Sequence, residues 1–159
     1  MNVLNQFSFP LIAAGIMALA YLVLRRRIAL RWIIPVEVVI AVVFVGAFFA
    51  LRPGDGDVDS AAALDDLLGN GRPTMVEFFS NFCTVCLVFR PQVDEIAEQF
   101  GDDYNIVRVN IHSETGQQIR DALKFSFTPE FVLIDSAGNE VWRDHAPPSN
   151  EQLAALIAG

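Results

Sequence analysis

The chain has 159 residues, 53% of them hydrophobic and 19% charged, with a formal net charge of −8. This hydrophobicity excludes a disordered chain, and the acidic balance excludes a nucleic-acid binder that grips phosphates through a basic face. Two cysteines exclude a disulfide-dense mini-domain and a four-thiolate zinc site.

Phe7 to Leu24 is an 18-residue stretch without a charge. Arg25, Arg26, Arg27 and Arg31 follow it. Trp32 to Leu51 is a second apolar run of 20 residues, interrupted only by Glu37. Each run suffices to cross a hydrocarbon core of ~30 Å at ~1.5 Å per residue. Both are apolar all round, which favours a membrane span over a core helix with one apolar stripe. Met1 to Gln6 lacks the basic start of a secretory signal. The expectation is therefore a transmembrane hairpin over residues 1–51, with helices at about 7–24 and 32–51 and an arginine-rich loop at 25–31. Positive loops stay cytoplasmic, so both termini fall on the outer side. Trp32 suits an interfacial anchor.

Glu37 has two readings. Pro35 suits a first helical turn, where a carboxylate two residues on meets free amides and the positive dipole end. Alternatively, Glu37 is a proton or partner site within the membrane. The cap reading is the simpler. Ala14, Gly15 and Ala18 form a small-residue face suited to packing on another helix.

Residues 52–59 read as a polar linker, rich in turn formers. Ser60 then begins a short helix with Leu64, Leu67 and Leu68 on one side, ended by Gly69-Asn70-Gly71. Met75 to Ser80 reads as a buried strand. Cys83 to Phe100 is helical, with Leu87, Phe89, Val93, Ile96, Ala97 and Phe100 facing in and Pro91 inside the run. Tyr104 to Ile111 is a central strand. Thr115 to Phe125 is a helix with Ile119, Ala122 and Leu123 inward. Glu130 to Asp135 and Glu140 to Asp144 are strands joined by a turn at Ser136-Ala137-Gly138-Asn139. Ser149-Asn150-Glu151-Gln152 has the capping-box pattern and precedes Leu153, Leu156 and Ile157. Strands alternating with helices predict an α/β domain over residues 60–159.

Cys83-Thr84-Val85-Cys86 follows a strand and opens a helix. As a staple it would close a four-residue ring, worth only about 2 kcal/mol. A metal clip lacks further cysteines, and His112 and His145 are isolated in sequence. Thiol–disulfide exchange suits the spacing. A thiolate at Cys83 would meet free amides at the helix N-terminus, which lower its pKa. Cys86 shares its helix face and can attack a mixed disulfide formed there.

These residues resemble the thioredoxin family. Val76 to Cys86 looks like that family's strand leading into its active-site helix, and Pro91 lies where thioredoxins carry a helix-kinking proline. Glu77 stands at the place of the family's buried aspartate, with Arg108 where a lysine often sits. Thr128-Pro129 precedes a strand as the family's cis-proline does. The resemblance implies a thioredoxin-like fold, a redox-active Cys83–Cys86 pair with no other cofactor, and a proton-shuttling role for Glu77. It also implies substrate contacts at Phe82, Thr128 and Pro129, with Thr128 backbone groups pairing with an extended segment. Phe82 replaces the usual tryptophan, and Thr84-Val85 replaces the usual Gly-Pro between the cysteines. With the anchor, the pattern is similar to membrane-tethered thioredoxin-like reductases of the thylakoid lumen and periplasm, notably those serving cytochrome biogenesis.

The expected protein is a membrane-tethered, extracytoplasmic thiol–disulfide oxidoreductase, read first as a reductase; the same site run backwards would be an oxidase or isomerase. Its partners would be protein disulfides or dithiols, a membrane electron donor and the lipid bilayer, with no nucleic acid or metal. An alternative is an accessory subunit of a larger membrane redox complex. Residues 1–51 carry a net +3 and residues 52–159 a net −11.

Overall fold

The computed structural model describes residues 3–52 and 54–157. Pro53 of the expected linker and the side chains of Leu156 and Ile157 lie outside the described residues. The elements are α1 (Val3–Gln6), α2 (Ser8–Leu24), α3 (Leu30–Leu51), α4 (Ala61–Leu68), β1 (Thr74–Phe79) and α5 (Thr84–Phe100). They continue with β2 (Asn105–Asn110), α6 (Glu114–Ala122), β3 (Glu130–Ile134), β4 (Glu140–Asp144) and α7 (Asn150–Ile157).

The strands form one sheet in the order β2-β1-β3-β4. β1 runs parallel to β2 and antiparallel to β3, and β3 pairs antiparallel with β4. Every β1 residue is buried, because β1 has a neighbour on each edge and helices on both faces. Val76 and Phe78 pack with Val107, Val109, Leu64 and Ile119, beneath α4 and α6. Met75 packs on the opposite face with Val93, Ile96, Leu133 and Leu153, beneath α5 and α7. Strand alternation thus sends odd residues of β1 towards α5.

Serines start three helices. Ser60 Oγ accepts from Ala63 N, and Ser113 Oγ from Gly116 N. Ser149 and Gln152 cap reciprocally: Ser149 N donates to Gln152 Oε1 at 2.8 Å, and Gln152 N donates to Ser149 Oγ at 3.2 Å. This is the capping box read from sequence. α6 stops at Ala122 rather than Phe125, because the chain turns at Lys124, whose φ is +54°. Ala122 is consequently exposed, not inward as expected, while Ile119 is buried.

α3 begins at Leu30, before Pro35, which sits inside the helix. The residues ahead of the proline are ordinary helix formers, and a single proline removes one backbone donor without ending the helix. Glu37 therefore lies past the first turn, and its capping role is overturned. Its Oε1 is buried and unpartnered among the described residues, facing α2 beside Met17 and Tyr21. Among the described residues, α3 is the one helix long and apolar enough to cross a membrane, and α2 is apolar over 17 residues. α2 has no buried residue, and α3 has only Ile33.

The segment expected as a linker is held against β2. Asp57 N donates to Arg108 O, and Arg108 N donates to Asp57 Oδ2. Gly56 bridges to Val109 with a φ of +103°, and a Cβ there would lie 2.8 Å from Arg108 O. Glycine is thus what permits this close approach.

Candidate redox site

Cys83 is the N-cap of α5, and its Sγ accepts from Cys86 N at 3.2 Å. The two cysteines are joined as a disulfide, with Cα atoms 5.3 Å apart. They pack on Phe79. Their exposures are 0% and 1%, so neither sulfur is open to a macromolecule.

Glu77 lies two residues before Phe79 and so shares the sheet face on which the cysteines pack. It is 4% exposed. Burial pushes its carboxyl up to about 7, against the pull of the Arg108 guanidinium, whose Nε stands 3.6 Å from Oε2. Arg108 also donates to Asp94 on α5 at 2.6 Å. The expected Glu77–Arg108 proximity is present, and Asp94 was not anticipated.

The Thr128–Pro129 bond is cis, and both residues are buried. Pro129 O lies 2.8 Å from His145 Nδ1, and His145 stacks on Phe127. Thr128 O accepts from Asn5 Nδ2. Phe82 stacks on Phe48 of α3 at 5.3 Å and also meets Phe7 and His112. A cleft of about 440 Å³ between α2 and α3 ends on Phe82. The structure brings the anticipated Phe82 and Thr128 to one site, joined by residues 5–9.

Several site residues escaped the sequence reading. Ser80 is fully buried. Its Oγ donates to Gln6 O and accepts from Phe82 N, both at 3.1 Å. His112 Nε2 lies 3.1 Å from the same oxygen. The single hydroxyl proton goes to Gln6 O, so His112 Nε2 donates. Burial and then Arg120 push the His112 pKa down, which suits this neutral tautomer. Asn81 pairs both ends of its amide with Gly54: Gly54 N donates to Oδ1, and Nδ2 donates to Gly54 O. Apart from the local Phe82 N–Ser80 Oγ bond, these contacts join residues far apart in the chain, and no local pattern signals them. Among the described residues no cluster of potential metal ligands occurs.

A disulfide-bonded cysteine pair opening a helix after the central strand, beside a cis-proline loop and on the face of a buried carboxylate, is the arrangement of a thiol–disulfide exchange protein. The thioredoxin family model matches residues 58–158. The chain belongs to the thioredoxin family, whose members are thiol–disulfide oxidoreductases. It is 36% identical over 81 residues to "Thioredoxin-like protein HCF164, chloroplastic" of Arabidopsis thaliana, covering 51% of this chain and 31% of that protein. It is 28% identical over 89 residues to the "Thiol:disulfide interchange protein TxlA homolog" of Synechocystis, covering 55% of this chain and 48% of that protein. The chain thus spans less than half the length of either relative. Fasciola hepatica thioredoxin superposes with a TM-score of 0.50 and 25% identity, over 62% of this chain and 92% of that one. Mitochondrial thioredoxin 3 of Saccharomyces cerevisiae shares the fold, with a TM-score of 0.53 at 12% identity over 70% of this chain and 98% of that one.

Proposed function

We propose that the protein is a membrane-tethered reductase of protein disulfides, working through Cys83 and Cys86 on the extracytoplasmic side. The observation that carries this reading is the Cys83–Cys86 disulfide capping α5, with Glu77 buried on the same sheet face. In the reduced protein, the Cys83 thiolate attacks a substrate disulfide. One substrate sulfur leaves as thiolate and takes a proton, and the other stays bonded to Cys83. Cys86 then passes its proton to the Glu77 carboxylate and attacks Cys83 Sγ. The second substrate sulfur departs as a thiolate and takes the proton from Glu77, and the Cys83–Cys86 disulfide remains. A membrane electron donor restores the dithiol with two electrons and two protons.

Tethering is supported by α2 and α3, whose apolar side chains almost all face outward and so are not core helices. Arg25, Arg26, Arg27 and Arg31 favour a cytoplasmic position for the loop between them. A two-pass topology would leave the cysteines outside, and the relatives' chloroplastic and interchange names suit a thylakoid or comparable membrane. Cytochromes under assembly are the leading substrate class. The accessory-subunit reading is favoured by Gly15, which has nothing within 4 Å and leaves a helix face open.

The test is Cys86→Ser in membranes. A mixed disulfide on Cys83 should then persist and carry its partner through a non-reducing gel, with Cys83→Ser as the blank. No trapped partner in either sample would defeat the reductase reading.

A further inference from the structure

The first helical turns lie across the disulfide. Thr84 N donates to Ser8 Oγ at 2.9 Å, and Phe9 N donates to Phe82 O at 2.9 Å. These two contacts flank Cys83 on both sides in sequence. Further along, Ser80 Oγ donates to Gln6 O, and Asn5 Nδ2 donates to Thr128 O. Residues 5–9 therefore touch three walls at once: the loop after β1, the first turn of α5 and the Thr128–Pro129 loop. They hold polar backbone positions, Thr84 N, Phe82 O and Thr128 O, that an extended substrate segment would use.

Exchange requires a substrate sulfur to reach bonding distance of Cys83 Sγ. At 0% exposure that approach is blocked. The cover is not built as a permanent core. α1 is a single four-residue turn, too short to hold itself as a helix. The contact also leaves Gln6 Nε2 and Thr128 Oγ1 buried without hydrogen-bond partners among the described residues. Unpaired buried polar atoms are costly, and lifting the segment lets water or substrate satisfy them.

We infer that residues 5–9 are a resident occupant of the substrate groove, which a disulfide-bearing polypeptide must displace to reach Cys83. This inference rests on the redox reading of Cys83 and Cys86. The segment competes for the same backbone positions, so it selects partners able to supply their own extended strand.

The test uses the full chain in lipid nanodiscs, with Cys86→Ser so that one thiol reports. Reduced Cys83 is labelled with a polyethylene-glycol maleimide. Adding Asn5→Ala and Ser8→Ala, which remove two anchors, should speed labelling roughly tenfold or more. An unchanged rate, fast or slow, overturns the inference. A second measurement alters no residue of the cover. Oxidised glutathione is used to form a mixed disulfide on Cys83, and hydrogen exchange at the Phe9 and Thr84 amides is followed. Both should exchange faster than in the free thiol form, and unchanged protection overturns the inference. Separately, wild-type protein is cycled with dithiothreitol and diamide. Failure to reduce and re-form the Cys83–Cys86 bond at any concentration would defeat the redox reading itself. Normal cycling with unchanged labelling would defeat only the cover.

Discussion

At Glu77, burial and a nearby guanidinium pull in opposite directions, and burial wins. Its carboxyl titrates near 7, against an ordinary value of 4.5. Arg108 and Arg90 oppose the rise, while Asp57 and Asp94 add to it. Between those two values the folded state keeps a proton that the unfolded chain has released. Stability therefore falls as pH rises through that window and levels off above it. Glu77→Gln should be more stable than wild type at pH 8, by up to about 3 kcal/mol, and show no gain at pH 4. Denaturant melts at both pH values measure this. The same variant should slow release of the mixed disulfide, because Cys86 loses its proton acceptor. Ser80 is the other residue on which much converges. Ser80→Ala would strand Gln6 O, Phe82 N and His112 Nε2 together and should cost about 1–3 kcal/mol in thermal or chemical denaturation. Glu77 was legible from its place in an apolar strand. Ser80 was not, because Gln6 and His112 meet it only in the folded chain.

The helices and strands show which patterns sequence makes visible. β1, β2 and α5 announce themselves through apolar runs, and α7 through a capping box. What failed was local competition. Pro35 reads as a helix start, yet residues 30–34 already propagate the helix ahead of it. The segment after α3 reads as a linker by composition, and Asn110 and Arg108 hold it along β2 while Asn81 grips it from the loop after β1. Such pairing depends on which surface the segment happens to meet, and turn-forming residues are silent about that. Gly116 gives a sharper case. It lies in α6, where any residue suits the backbone, yet a Cβ there would stand 1.8 Å from Asn110 O. Gly116→Ala should push α6 away from the end of β2 and cost about 3 kcal/mol or more, read from the midpoint of urea unfolding.

For the molecule as a whole, the acidity and the hydrophobicity that opened the sequence reading belong to different parts. The linker and redox domain together carry the net −11, so the domain's encounters should depend on charge. Reduction of a basic disulfide protein should slow steeply as salt is added, and an acidic one of similar size should speed up slightly. Stopped-flow rates across a salt series decide this, and parallel slopes would count against electrostatic guidance. The way the proposed tether ends adds a spatial constraint. Arg90 Nη1 donates to Leu51 O at 3.1 Å and to Arg52 O at 3.4 Å, and Asn81 grips Gly54 three residues beyond α3. At ~3.5 Å per extended residue, even a released stretch of that length would span only about 10 Å. The proposed reductase is then a short-armed device. It does not sweep a volume above the bilayer in search of work. Its clientele is whatever diffuses laterally to it or is delivered to the lipid surface, and lengthening this joint would widen that clientele without touching the chemistry.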